Sequence, residues 1–176
     1  MQAPRAGWLI AVPGLLLIPV LAACRKPEPA FTFRDVVLDH SNEQVELVAG
    51  LEVTQVFIPN HDNTSGVAIM MSNNGGRARE CEVVFRLRAH NSAADIDEQS
   101  VPCAKVPDRD WVRFDFPPLV YTRARRLVIS VQSPNGRAGE SAMVLVSSVP
   151  EIYPDGRLRL GQAVTPGALR FMTFHR

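Results

Sequence analysis

In the stretch "CEVVFRLR", Cys81, Val83, Phe85 and Leu87 fall on one face and Glu82, Val84, Arg86 and Arg88 on the other. A period of two is the pattern of a β-strand with one face buried. "WVRFDF" repeats it, setting Val112, Phe114 and Phe116 against Trp111, Arg113 and Asp115. So does "RRLVISV", where Leu127, Ile129 and Val131 oppose Arg126, Val128 and Ser130. Further apolar segments follow the same scale: "EVTQVFI", "GVAIMMS", "SAMVLVS", "RLRLG" and "ALRFMTF". Between them lie "PNHDNTSG", "NNGGRARE", "PPLVYTRA", "SPNGRAGE", "YPDGR" and "TPG", which supply Gly, Pro, Asn or Asp where the backbone must reverse. No segment beyond the first thirty residues carries a sustained helical stripe, and Pro117-Pro118 ends a strand sharply. The pattern predicts an all-β domain, an antiparallel two-sheet sandwich of about eight to ten strands.

The beginning of the chain is different. Residues 1–23 hold one charge, Arg5, ahead of an apolar run from Trp8 to Leu21 that is broken by Pro13, Gly14 and Pro19. As a helix this run would rise only ~21 Å, short of the ~30 Å hydrocarbon core, so it reads as a secretory signal rather than a membrane span. It ends in Leu21-Ala22-Ala23-Cys24, which resembles the lipobox of bacterial lipoproteins. The resemblance implies cleavage before Cys24, a diacylglycerol on its sulfur, and anchoring at ~0.8 kcal/mol per buried methylene. Residues 24–30 then form a short tether, too polar and proline-broken to continue a helix, that spans only ~20 Å at full extension. A domain of residues 31–176 would therefore sit close to its membrane. Enteric lipoproteins retained at the inner membrane carry Asp after the cysteine. Arg25 in that place implies the outer membrane, facing the periplasm, in a cell that has two.

Removing the signal leaves 153 residues, enough for one domain that buries about 70% of the surface its unfolded chain exposes. The remaining 18 Lys+Arg balance 18 Asp+Glu. Without a basic surplus or a basic-aromatic run, nucleic acid is excluded as a partner. Lys26 and Lys105 are the only lysines. Arginine makes bidentate contacts to carboxylates and sugar-borne acids, although GC-rich coding produces the same bias.

With Cys24 assigned to lipid, Cys81 and Cys103 form an even pair in an oxidising compartment, which favours a disulfide over two reduced thiols. In the chain-entropy model such a loop is worth ~3 kcal/mol. A simple hairpin joining them turns near Ser92 and sets Gln99 opposite Phe85 and Asp97 opposite Leu87. Polar residues opposite core residues leave a bridge to a neighbouring strand or loop equally open.

The order "VTQVFIP", a Gly-led strand at Gly66, "WVRFDFPPL", "LVISVQSPNG", "YPDGRL" and "ALRFMTF" resembles jelly-roll modules of the bacterial cell envelope, related in architecture to carbohydrate-binding modules. It spans about Leu51 to Phe174. The resemblance implies a jelly-roll-like sandwich and transfers no binding residues, since fold does not determine function.

Catalytic signatures are missing. There is no Gly-x-Ser-x-Gly elbow and no Ser-x-x-Lys motif, and His40, His61, His90 and His175 stand apart from any His-x-x-x-His pair. The sequence calls for no cofactor and no metal. The oxygen-rich loop Asn60–Gly66 misses the EF-hand spacing and reads as a turn. The side chains best suited to a ligand are Trp111, Arg113 and Asp115, with Arg86 and Arg88 expected beside them. A flat aromatic can cover a pyranose while charged forks bond its hydroxyls. Alternatively these groups pair across strands. Tyr121 and Tyr153 are either corner residues or loop platforms. The leading expectation is a non-enzymatic, lipid-anchored envelope domain that binds a glycan or a partner protein. A structural lipoprotein working through an exposed strand edge such as Ser141–Ser148 is the alternative, and an envelope hydrolase the weaker one.

Overall fold

The computed structural model describes residues 30–31, 43–149, 153–154 and 156–176. The expected signal, Cys24 and the expected tether as far as Pro29 lie outside the described residues. Thirteen strands are described: β1 (Ala30–Phe31), β2 (Glu43–Glu46), β3 (Glu52–Phe57), β4 (Thr64–Ser72), β5 (Glu82–Ala89), β6 (Asp95–Pro102), β7 (Asp110–Leu119), β8 (Leu127–Gln132), β9 (Met143–Ser147), β10 (Leu158–Leu160), β11 (Ala163–Thr165), β12 (Ala168–Leu169) and β13 (Phe171–His175). Nine have four residues or more, within the expected number; the four short ones extend sheet edges or fill a fork. Pro117-Pro118 does not end its strand as expected: β7 runs through both to Leu119, which an edge strand paired only with β4 tolerates.

All pairing is antiparallel, in two sheets. The long strands run β2-β9-β4-β7 in the first sheet and β3-β8-β5-β6 in the second. This is the double Greek-key order of a jelly roll. The second sheet continues through β10 to β11. In the first sheet β4 and β9 meet only at Met71 and Ser72, and toward Thr64 the segment Ala168–His175 fills the fork, β12 lining β9 and β13 lining β4. β9 is therefore paired on both sides, and Ser141–Ser148 offers no free edge.

The alternation read from the sequence sets the core. Val83, Phe85 and Leu87 of β5, Val112, Phe114 and Phe116 of β7, and Leu127, Ile129 and Val131 of β8 all enter one buried cluster. Phe85 and Phe114 stack across the sheets with ring centroids 4.3 Å apart, and Phe57 meets Phe171 edge to face at 5.5 Å. Such contacts contribute ~0.5–1.5 kcal/mol beyond the burial itself.

Register also defines two ends. Thr64 pairs with Leu119 and with His175, and Ala30 pairs with His175, so β1 begins at the end closed by loops 58–63, 90–94 and 120–126. We call this the Ala30 end. Loops 47–51, 73–81, 103–109 and 133–142 close the other, the Arg137 end.

Candidate functional site

On β7, Trp111, Arg113 and Asp115 face outward from the first sheet, as their alternation requires, but they are engaged with their own protein. The Arg113 guanidinium holds Asp115 Oδ1 at 2.7 Å and lies 3.9 Å over the Phe174 ring. Trp111 is half-buried against Ala68, Met172 and Phe174. The cause is local: Arg113 and Asp115 stand opposite Ala68 and Gly66 of β4, residues small enough for long side chains to fold down over them. A Cβ on Gly66 would sit 3.0 Å from Asp115 Oδ1 and 3.2 Å from the Phe114 carbonyl.

Arg86 and Arg88 do not stand beside that trio. β5 pairs with β6 and β8 in the second sheet, so its outward side chains occupy the opposite outer face of the sandwich. Single-strand alternation gives the face of a strand and not the sheet to which it belongs. Arg86 donates to Glu98 at 2.7 Å and lies 3.5 Å from Asp95. Its pKa is held above the ordinary arginine value, chiefly by the hydrogen bond to Glu98. Arg88 is half-buried, opposite Val128 and Asp95.

Cys81 and Cys103 form a disulfide, and the hairpin between them has the simple register, with Gln99 opposite Phe85 and Asp97 opposite Leu87. These polar residues are tolerated because β6 is an edge strand: its inward positions are only half-buried. In the Asn60–Gly66 loop Asp62 and Thr64 are engaged with the loop that follows β7. Asp62 accepts the Arg123 backbone N–H at 2.9 Å, and the Thr64 and Thr122 hydroxyls meet at 2.8 Å. Among the described residues no group of three or more His, Cys, Asp or Glu side chains could hold a metal ion. The two tyrosines divide the roles read for them. Tyr153 accepts the Ile58 N–H at 3.0 Å and packs its ring against Phe171, whereas Tyr121 is 72% exposed.

A cleft of about 360 Å³ opens at the Arg137 end, lined by Arg77, Arg79, Glu80, Asn135, Arg137 and Glu140 with Cys81 at its base. Its rim is braced. Arg77 bonds the Asn74 carbonyl at 3.1 Å and Asn74 Oδ1 at 2.7 Å, and Arg79 bonds the Gly76 carbonyl at 3.0 Å. Asn135 accepts the Glu82 N–H at 2.9 Å and donates to the Glu80 carbonyl at 3.1 Å, tying the two rim loops together. The Arg137 guanidinium has no ion pair or hydrogen bond among the described residues. At one site, guanidinium forks can donate to acid groups while neighbouring carboxylates accept from hydroxyls.

Sequence reasoning treated these loops as turns only. Yet "GRARE", Gly76 to Glu80, and "GRAGE", Gly136 to Glu140, share a Gly-Arg-Ala-x-Glu pattern. That repeat was the available signal, and the fold brings its two copies to one cleft. Compared with protein-family models and with curated proteins, the chain matches none.

Proposed function

We propose that this chain is a non-enzymatic, lipid-anchored domain of the bacterial cell envelope that binds an acid-bearing glycan in the Arg77, Arg79 and Arg137 cleft. The anchor rests on the Leu21–Cys24 motif and the polar tether behind it. The ligand class rests on one observation, the convergence of two Gly-Arg-Ala-x-Glu turns on a braced cleft where the Arg137 guanidinium is unengaged. Three guanidiniums against two carboxylates leave a positive excess there, and the absence of aromatic rings from its lining means recognition through polar groups. In a cell with two membranes the domain faces the periplasm from the outer one.

Calorimetric titration with uronic-acid oligosaccharides and with neutral oligosaccharides of equal length tests the reading. Binding of the acidic series, with at least a tenfold loss in Arg137→Ala and in Arg77→Ala, supports it. Equal binding of both series, or affinity that survives both substitutions, removes the cleft as the site.

A further inference from the structure

Apolar exposure is distributed unevenly between the two ends. Among the described residues five large apolar side chains are exposed, and three of them, Ile96, Val120 and Tyr121, stand at the Ala30 end. The others are Val149, just after β9, and Val164 on β11. At the Ala30 end Ile96, Leu119 and Val120 line an open groove of about 800 Å³ together with Arg125 and Arg126. The loop that carries Val120 and Tyr121 reads "PPLVYTRARRL", with three arginines and no acid. Arg123, Arg125 and Arg126 are all exposed, and none forms an ion pair among the described residues. The loop is held in place from behind: Arg123 N–H bonds Asp62, the Ala124 N–H bonds the Pro59 carbonyl, and the His90 N–H bonds the Arg126 carbonyl.

We infer that this loop end is a membrane-docking surface, and that its occupant is the anionic bilayer into which Cys24 is anchored. The inference rests on the lipid anchor proposed above and adds an orientation to it. Cys24 is six residues before Ala30, so at full extension the sulfur lies within ~20 Å of the end where Val120 and Tyr121 protrude. The ten residues of β7 span ~33 Å between the two ends, more than that tether can cover. An exposed valine and tyrosine suit the headgroup boundary, where an amphipathic ring keeps its hydroxyl wet, and unpaired arginines suit anionic phosphates. Docking this end sets the Arg137 cleft facing away from the bilayer, toward the envelope space.

The test uses the mature lipidated protein, carrying an environment-sensitive fluorophore on Val120→Cys or, at the opposite end, on Ala138→Cys. Each is reconstituted into vesicles of mixed phosphatidylglycerol and phosphatidylcholine, and into phosphatidylcholine alone. A blue shift at position 120 in the mixed vesicles supports docking if position 138 shows none. The shift should be lost in phosphatidylcholine and in the combined Arg123→Glu, Arg125→Glu, Arg126→Glu variant. Equal emission at the two positions, or a full shift that persists without anionic lipid or without the arginines, overturns it. Mass spectrometry of the amino-terminal peptide separates the two ideas. An unmodified Cys24 sinks the anchor and the docking together, whereas a lipidated protein with indistinguishable probes sinks the docking alone.

Discussion

Gln99 Nε2 donates to the backbone carbonyl of Asp115 at 2.8 Å, joining the edge strand of one sheet to the edge strand of the other. The same amide group also reaches Asp97 Oδ2 at 2.6 Å. β6 and β7 belong to different sheets, so this contact closes the sandwich along a side where neither strand has a further ladder partner. Gln99→Ala is expected to lower the unfolding free energy by about 1 kcal/mol, the usual net worth of such a bond. Urea unfolding checks it, and an unchanged midpoint would show that solvent replaces the contact without loss.

The disulfide closes a loop of 22 residues at the base of the same hairpin, and Cys81 also forms the floor of the arginine cleft. Replacing Cys81 and Cys103 together by serine should cost roughly 3 kcal/mol on the chain-entropy estimate. It should also weaken the acidic-glycan titration, because the loop that carries Arg77 and Arg79 loses its fixed end. Destabilisation without loss of affinity would mean that the hydrogen bonds of Arg77, Arg79 and Asn135 brace the rim without the disulfide.

Gln55 is fully buried, facing the core between Val53 and Phe57. Its Oε1 accepts the Leu169 N–H at 2.9 Å and its Nε2 donates to the Val56 carbonyl at 2.8 Å, which ties β12 to β3. Gln55→Leu conserves apolar volume but orphans the Leu169 amide, at an expected cost of about 1–3 kcal/mol. Hydrogen exchange at Leu169 should accelerate accordingly. Exchange at the wild-type rate would show that the Leu169 N–H finds another acceptor.

Trp111 and Arg137 should behave in opposite ways. Trp111 packs on Phe174 and Met172, so Trp111→Ala is expected to cost ~2 kcal/mol, below the ~3–5 kcal/mol of a fully buried aromatic, and to leave glycan affinity unchanged. Arg137→Ala is expected to leave stability within ~0.5 kcal/mol, as an exposed unpaired side chain should, and to abolish most of the affinity. Thermal unfolding and calorimetry on the two variants settle the pair of outcomes. The reverse pattern would return the site to the outer face of β7.

Much of this architecture is visible before any coordinate is. A period of two is a local property, dictated by successive side chains leaving opposite sides of an extended backbone. The inward sets Val83/Phe85/Leu87, Val112/Phe114/Phe116 and Leu127/Ile129/Val131 therefore follow from the residues alone. Counting between Cys81 and Cys103 offers the hairpin register at Phe85 and Gln99 as one of two open readings, and the fold selects it. Its polar mismatches made sense only once β6 proved to be an edge strand. The inward Gln55 has no local signal, because its partner is the Leu169 amide, 114 positions away.

By itself the amino-acid order determined the class of fold and the strand faces, since these depend on neighbours along the chain; the lipid anchor at Cys24 is proposed from the order alone. Only the tertiary structure decided which faces share a surface. It separated Arg86 and Arg88 from Trp111, Arg113 and Asp115, folded the last three onto Phe174 and Met172, and brought Arg77 and Arg79 beside Arg137 across 58 to 60 positions. The physical reason is the jelly-roll winding: strands close in sequence alternate between sheets, so contacts that make or fill a site come from residues far apart in the chain.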